Sequence, residues 1–290
     1  MSDELTNLFL AQPVIYAGFI GLFALFIGSF LNVVIFRLPV MMQREWRSQC
    51  RELMELPAEP RENFNLATPR SRCPHCGHMI SALENIPVLS FLMQRGRCRH
   101  CDKEISSRYP LIELFTALLS MLVAWKLGFG WQSSFAIILT WVLIVLTFID
   151  IDHQLLPDDI TLPVLWLGLG LNVFGVFTDI VSAVIGGMAG YLSLWLIYHL
   201  FRIITGKEGM GYGDFKLFAL FGAWFGWQQL PLIILLSSLV GTVIGLTMII
   251  LLGRDRQLPI PFGPYLAGAG WIAMLWGNDI VKLYLNSFTY

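Results

Sequence analysis

Apolar positions along this chain come in long unbroken runs rather than in the alternating or every-third pattern of half-buried elements. The runs fall near residues 14–37, 110–126, 133–150, 160–178, 180–204, 214–227, 230–252 and 259–278. A helix needs about 20 apolar residues to cross the hydrocarbon of a bilayer. The pattern therefore predicts an all-α polytopic membrane protein with about eight transmembrane helices. The run at 214–227 is short for a crossing and reads as a broken or re-entrant helix. Between the first and second runs the pattern lapses into a polar stretch. This divides the chain into a first transmembrane helix at 1–39, an inserted domain at 40–109 and a transmembrane core at 110–290.

Composition agrees: 56% of residues are hydrophobic and 13% charged, with a mean hydropathy of +0.66. A net charge of −1 gives no reason to expect a nucleic-acid partner. The placement of the charges is more informative, because Lys and Arg stay on the cytoplasmic side of a membrane protein. With the N-terminus outside, 17 of the 19 basic residues lie inside, 12 of them between Arg37 and Arg108, and only Lys126 and Lys282 fall outside. The inserted domain is then cytoplasmic. The first residues are acidic and lack the basic flank of a cleavable signal peptide, so the first span is expected to be retained.

The inserted domain contains all five cysteines. Cys73-Pro74-His75-Cys76 and Cys98-Arg99-His100-Cys101 form two C-x2-C pairs with 21 residues between them, close to the spacing of a zinc ribbon. Reduced cytoplasmic thiols favour tetrahedral thiolate coordination over disulfides. Cys73, Cys76, Cys98 and Cys101 are therefore the expected ligands of a structural Zn²⁺, with Arg72, Arg97, Arg99 and Lys103 available to offset its charge. Four cysteines close the coordination sphere, which argues against catalytic zinc; His75, His78 or His100 could replace a thiolate, but the spacing does not require it. Cys50 shares a helical face with Met42, Trp46 and Leu53 and reads as a packed thiol. Its helix, ending by Pro57 and rich in Arg and Glu, would lie on the membrane surface or pack on the zinc module.

Carboxylates beside apolar spans are costly unless paired or hydrated, and function is the default hypothesis for them. Asp150-Ile151-Asp152, then Pro157-Asp158-Asp159, end one run, and Gly211-Tyr212-Gly213-Asp214 opens another. Singly, each acid reads as an interfacial residue or helix cap: Asp158 or Asp159 before the helix from Ile160, Asp214 before one from Phe215. Together they suggest a pair. The topology puts Asp150 and Asp214 at the same cytoplasmic face although 64 positions separate them. Two adjacent carboxyls that share one proton supply the base and the acid of an aspartyl protease. Asp152 is the near rival of Asp150.

At these residues the chain resembles the type IV prepilin leader peptidases over nearly its whole length. The resemblance rests on Gly28-Ser29-Phe30-Leu31-Asn32-Val33-Val34, the paired C-x2-C knuckles, the segment Phe148 to Asp158 and the segment Gly206 to Lys216. Gly-x-Gly-Asp alone would also fit presenilin-like intramembrane proteases. The resemblance implies catalytic roles for Asp150 and Asp214. It further implies prepilin and pseudopilin substrates cut after a glycine, and N-methylation of the new terminus with S-adenosylmethionine. No glycine fingerprint of a nucleotide-binding strand-turn-helix is present, so the sequence assigns no residue to the methyl donor. Gly28, Asn32 and Arg37 are unusual neighbours for lipid and could contribute to such a pocket, or serve as packing and anchoring residues.

Two other classes fit less well. A transporter would place its acids at midplane within repeated halves, whereas here they cluster at one face without evident repeats. A non-catalytic zinc-bearing scaffold for pilus or secretion-system assembly would leave both acidic motifs as caps. Asp-to-Asn substitution separates either from a protease.

Overall fold

The computed structural model describes residues 2–57, 63–253 and 260–287. The basic loop residues Arg254 and Arg256 lie outside the described residues. The chain forms two compact units, one ending at Phe129 and one beginning at Gly130.

The first unit is built on α1 (Ser2–Ala11), α2 (Pro13–Leu53), the short α3 (Leu89–Met93) and α4 (Arg108–Leu127). α2 and α4 are its principal packed pair. Their contact is close because a Cβ at Gly28 would meet the Glu113 main chain at 2.7 Å. Asn32 Nδ2 donates to the carbonyls of Gly28 and Tyr109 at 3.2 and 3.1 Å, tying α2 to the first turn of α4.

The first span and the Cys50 helix, expected as separate elements, are one 41-residue helix of about 60 Å. Pro39, where the sequence suggested a boundary, is buried inside it. The Cys50 face is also corrected: Cys50 is exposed, as are Trp46 at 45% and Leu53 at 86%. Among the described residues nothing covers this apolar face, so Cys50 is an exposed rather than a packed thiol.

The second unit comprises α5 (Trp131–His153), α6 (Asp158–Val173), α7 (Ile180–Thr205), α8 (Tyr212–Phe225), α9 (Leu230–Leu252) and α10 (Gly263–Asn286). Each of the eight apolar runs holds a helix, but eight crossings are not confirmed. Among the described residues, five helices are long and apolar enough to cross a membrane: α2, α4, α5, α7 and the stretch Trp227–Leu251 containing α9. α6 has 16 residues and α8 has 14, about 24 and 21 Å of helix. α10 has the length, with 24 residues, but its Gly, Asn and Asp content keeps it from qualifying on apolarity.

α8 is the centre of this unit. It is apolar all round, as befits a helix enclosed by protein; Phe215 and every residue from Leu217 to Phe225 are buried. α6, α7 and α10 pack against it. Gly186 of α7 and Gly222 of α8 meet main chain to main chain, and the Trp224 indole covers Gly168 of α6. Trp224 Nε1 donates to the Val164 carbonyl at 2.8 Å. Asn172 uses its whole amide: Nδ2 donates to the carbonyls of Ala223 and Trp224, and Oδ1 accepts from the N–H groups of Phe177 and Thr178. These contacts fix α8 along its axis and so fix where its first turn emerges.

Candidate active site

Asp150 lies in the last turn of α5, which ends where Gln154 turns into the left-handed region and donates its N–H to the Asp150 carbonyl. Asp150 is 6% exposed, whereas Asp152 is exposed. Two residues apart on a helix means nearly opposite faces, so only Asp150 turns inward.

Asp214 is 7% exposed. α8 begins at Tyr212, three residues earlier than the cap reading placed it, so Asp214 sits within the first turn. Its Oδ2 accepts from the Gly211 N–H at 3.3 Å. Asp150 and Asp214 lie close enough to interact electrostatically, so the fold brings together the two acids singled out from sequence. Asp158 and Asp159 are the first residues of α6. Asp158 is engaged by Lys216, whose Nζ reaches Oδ1 and Oδ2 at 2.7 and 2.6 Å.

Two further residues enter the site from geometry alone. Gly263, the first residue of α10, donates its N–H to Asp150 Oδ2 at 3.1 Å. Leu156, in the loop after α5, packs between two glycines: a Cβ at Gly213 would stand 2.8 Å from Leu156 Cβ, and one at Gly263 3.3 Å from Leu156 Cδ1. The site is thus the meeting point of one helix end and two helix starts. The only sequence sign of Gly263 is its place beside Pro264 at the head of an apolar run, a helix-start pattern.

In the first unit, Cys73, Cys76, Cys98 and Cys101 bring their sulfurs within 4.8 Å of one another. The two knuckles are built alike. Arg72 bridges Met79 and Arg97 bridges Glu104, and the Cys73 and Cys98 N–H groups donate to the carbonyls of His78 and Lys103. The matching turn positions, Gly77 and Asp102, both have positive φ, which glycine adopts freely and aspartate tolerates. Cys73 and Cys101 sulfurs are 3.8 Å apart, far beyond a disulfide's roughly 2.05 Å. That distance matches the separation of about 3.8 Å that two thiolates take on a tetrahedral zinc with bonds of about 2.3 Å.

Hydrogen bonds from the Cys76 and His75 main chain bring the Cys73 thiol down to about 6. Cys101 moves the other way: against the pull of the Lys103 main chain, burial and the three neighbouring sulfurs carry it up to about 12. Four close thiols cannot all ionise without a cation among them, and soft thiolates suit zinc. His78 and His100 stack on each other at 5.1 Å between ring centroids.

The residues considered for a methyl-donor pocket each have partners within the first unit. Gly28 is filled by the α4 main chain, and Asn32 is committed to two carbonyls. Arg37 donates to the carbonyls of Asn65, Leu66 and Pro69. These contacts fit the packing and anchoring reading of all three.

With this geometry in hand, comparison with known proteins is decisive. Residues 22–127 match the bacterial peptidase A24 N-terminal domain and residues 137–246 match the type IV leader peptidase family. A relative from Stutzerimonas stutzeri is 59% identical, with 90% of this chain and 91% of the relative covered. The chain belongs to the type IV leader peptidase family. Relatives from Aeromonas hydrophila and Pseudomonas aeruginosa are 57% and 53% identical, each over 95% of this chain and 96% of the relative. All three are named prepilin leader peptidase/N-methyltransferase. No solved structure matches the chain. Both family segments carry part of the geometry above: the A24 N-terminal segment spans the four cysteines, and the leader peptidase segment spans Asp150 and Asp214.

Proposed function

We propose that this protein is a membrane aspartyl endopeptidase that removes the leader peptide of type IV prepilins and pseudopilins after a glycine, then N-methylates the new terminus with S-adenosylmethionine. The observation that carries the peptidase assignment is the convergence of two buried aspartates, Asp150 and Asp214, from separate helices. The methyltransferase assignment rests on relatives of 53–59% identity that bear both activities in their name.

In this reading one of the two carboxyls is ionised and takes a proton from water as the water attacks the scissile carbonyl. The other, protonated, donates to the carbonyl oxygen as charge develops there. General acid–base assistance of this type contributes about 10²–10⁴-fold. A substrate whose basic leader stays in the cytoplasm and whose apolar segment lies in the bilayer presents its scissile bond at the cytoplasmic boundary. The basic-residue asymmetry supports a place for Asp150 and Asp214 at that boundary; in this reading the protein lies in the inner membrane of a bacterium with its N-terminus periplasmic. The four thiolates hold a structural zinc, whose part is to staple the two knuckles of the cytoplasmic domain at 40–109. The core at 110–290 carries proteolysis.

The test is cleavage of a prepilin in detergent or liposomes by wild type, Asp150→Asn, Asp152→Asn and Asp214→Asn, with product mass recorded with and without S-adenosylmethionine. Loss of cleavage in the variants at 150 and 214 alone, and a methyl-sized mass gain with wild type, are the expected results. Retained cleavage in either of those two variants would move the active site elsewhere.

A further inference from the structure

Gly263 touches Asp150 directly, yet nothing about its backbone requires glycine. Its φ lies outside the positive region occupied by seven other glycines of the described chain, and it stands at the first position of an ordinary helix, α10. An alanine could adopt the same main-chain conformation. What glycine supplies here is space: a Cβ would lie 2.6 Å from Asp150 Oδ2, closer than side-chain carbons approach in real structures, and 3.1 Å from Asp150 Cγ, tighter than most real contacts. The carboxyl on the other side is 6% exposed at the packed end of α5, with little room to withdraw.

The main-chain N–H of Gly263 is equally specific. The first N–H groups of a helix have no partner within it, and Pro264 at the next position has none to give. The donor at the head of α10 that meets Asp150 is therefore Gly263's, 113 residues away in sequence. An aspartate's terminal torsion is broad, so burial alone does not set which oxygen faces which way. A hydrogen bond to Oδ2 does.

We propose that Gly263 is a positioning residue for proteolysis: its missing side chain lets the start of α10 close onto α5, and its N–H commits Asp150 Oδ2 to the main chain, leaving Oδ1 for water and the shared proton. This rests on the assignment of Asp150 as one of the catalytic acids. It adds α10 to the site as a third element and explains why Leu156 is held between Gly213 and Gly263, where it buttresses the contact from the α5 side.

The experiment is steady-state prepilin cleavage by the full-length protein in liposomes, comparing wild type, Gly263→Ala, Gly268→Ala and Asp150→Asn. Methylation of a pre-cleaved pilin, measured on the same preparations, reports that the protein is folded. A misplacement near 1 Å costs about 10²-fold. Gly263→Ala should accordingly lower kcat by about 10–100-fold, keep KM within about threefold, displace the acidic limb of the pH–rate profile and leave methylation intact. Gly268, on the same helix with open space at its Cβ position, should accept alanine silently. A double variant, Gly263→Ala with Leu156→Ala, removes the competing contact with Leu156 while keeping the one with Asp150, and should stay low in kcat.

Wild-type kcat and pH profile in Gly263→Ala, with Asp150→Asn inactive, would overturn the positioning role and leave the acid assignment standing. Full recovery in the double variant would also overturn it, since the fault would then lie in packing on Leu156. Cleavage by Asp150→Asn would remove the assignment beneath it.

Discussion

Lys216 and Asp158 face each other through two short contacts, Lys216 Nζ at 2.7 and 2.6 Å from Oδ1 and Oδ2 of Asp158. The pair joins the first turn of α6 to the start of the second turn of α8, two positions beyond Asp214. Both side chains are partly exposed, at 26% and 51%, so the pair contributes at most about 1 kcal/mol to stability. Its effect belongs instead to placement. Lys216→Met and Asp158→Asn should each lower kcat for cleavage by about three- to tenfold, a shift of about 0.7–1.4 kcal/mol in barrier, with an unfolding midpoint close to wild type. The charge-swapped double variant should regain part of the loss, and a swap no better than either single change would remove the pair from consideration.

Cleavage should follow a bell-shaped dependence on pH. Two neighbouring carboxyls titrate as a unit with separate macroscopic steps, and the active form holds one proton between them. Activity then falls at low pH, when both are protonated, and at high pH, when neither is. A profile of kcat/KM with one ionisation would count against a coupled pair.

The cysteine cluster should bind about one zinc per chain, measurable by elemental analysis of the purified protein. Serine at Cys73, Cys76, Cys98 or Cys101 should abolish retention of the metal and expose the domain to proteolysis. Cys50→Ala should do neither, because Cys50 stands exposed on α2 outside the cluster. Metal retained in full by two different serine variants would show that another ligand set holds it.

The contact between α7 and α8 should tolerate no added bulk. A Cβ at Gly222 would meet the Gly186 main chain, and one at Gly190 would come to 2.8 Å from the Phe218 carbonyl. Gly222→Val should destabilise by about 1–3 kcal/mol or more, seen as a lowered midpoint in denaturant titration of the detergent-solubilised protein. Gly170→Ala, at a position with open space, should leave the midpoint where it is. Equal midpoints for the two variants would mean that α7 and α8 do not meet at Gly186 and Gly222.

Helix positions were legible because long apolar runs carry their own boundaries, and the cysteine cluster was legible because knuckle spacing is local. Asp150 and Asp214 were legible as a pair through topology. What separates Asp150 from Asp152 was not, because both lie on one helix end and only the surrounding helices decide which face is inward. Gly263 was invisible for a related reason: its significance is a contact across 113 positions, and a glycine beside proline at a helix start looks ordinary. The extension of α2 was misjudged because the lapse of the apolar run was read as the end of the helix, although polar residues continue it to Leu53, and Cys50 was misjudged because periodic spacing does not supply a surface to pack against. The number of crossings was not legible, because apolarity marks residues enclosed by protein, as in α8, as readily as residues facing lipid.

Arg37 gives the extension of α2 a distinctive architecture. The helix runs on to Leu53, yet the carbonyls of Asn65 and Pro69 return to Arg37 at 2.9 and 2.6 Å, and Phe64 lies against the guanidinium. The chain that runs on past Arg37 in α2 therefore comes back to it at Asn65 and Pro69, and Phe64 also lies against Arg44, about two turns farther along α2. Changing the length of such a closed excursion costs only a slowly growing entropy, so neither the spanning part of α2 below the closure nor the cysteine knuckles beyond it need change register. Insertions and deletions between Arg37 and Asn65 are therefore the ones descendants of this sequence can accept, while the cysteine knuckles and the acid pair, both farther along the chain, are inherited intact.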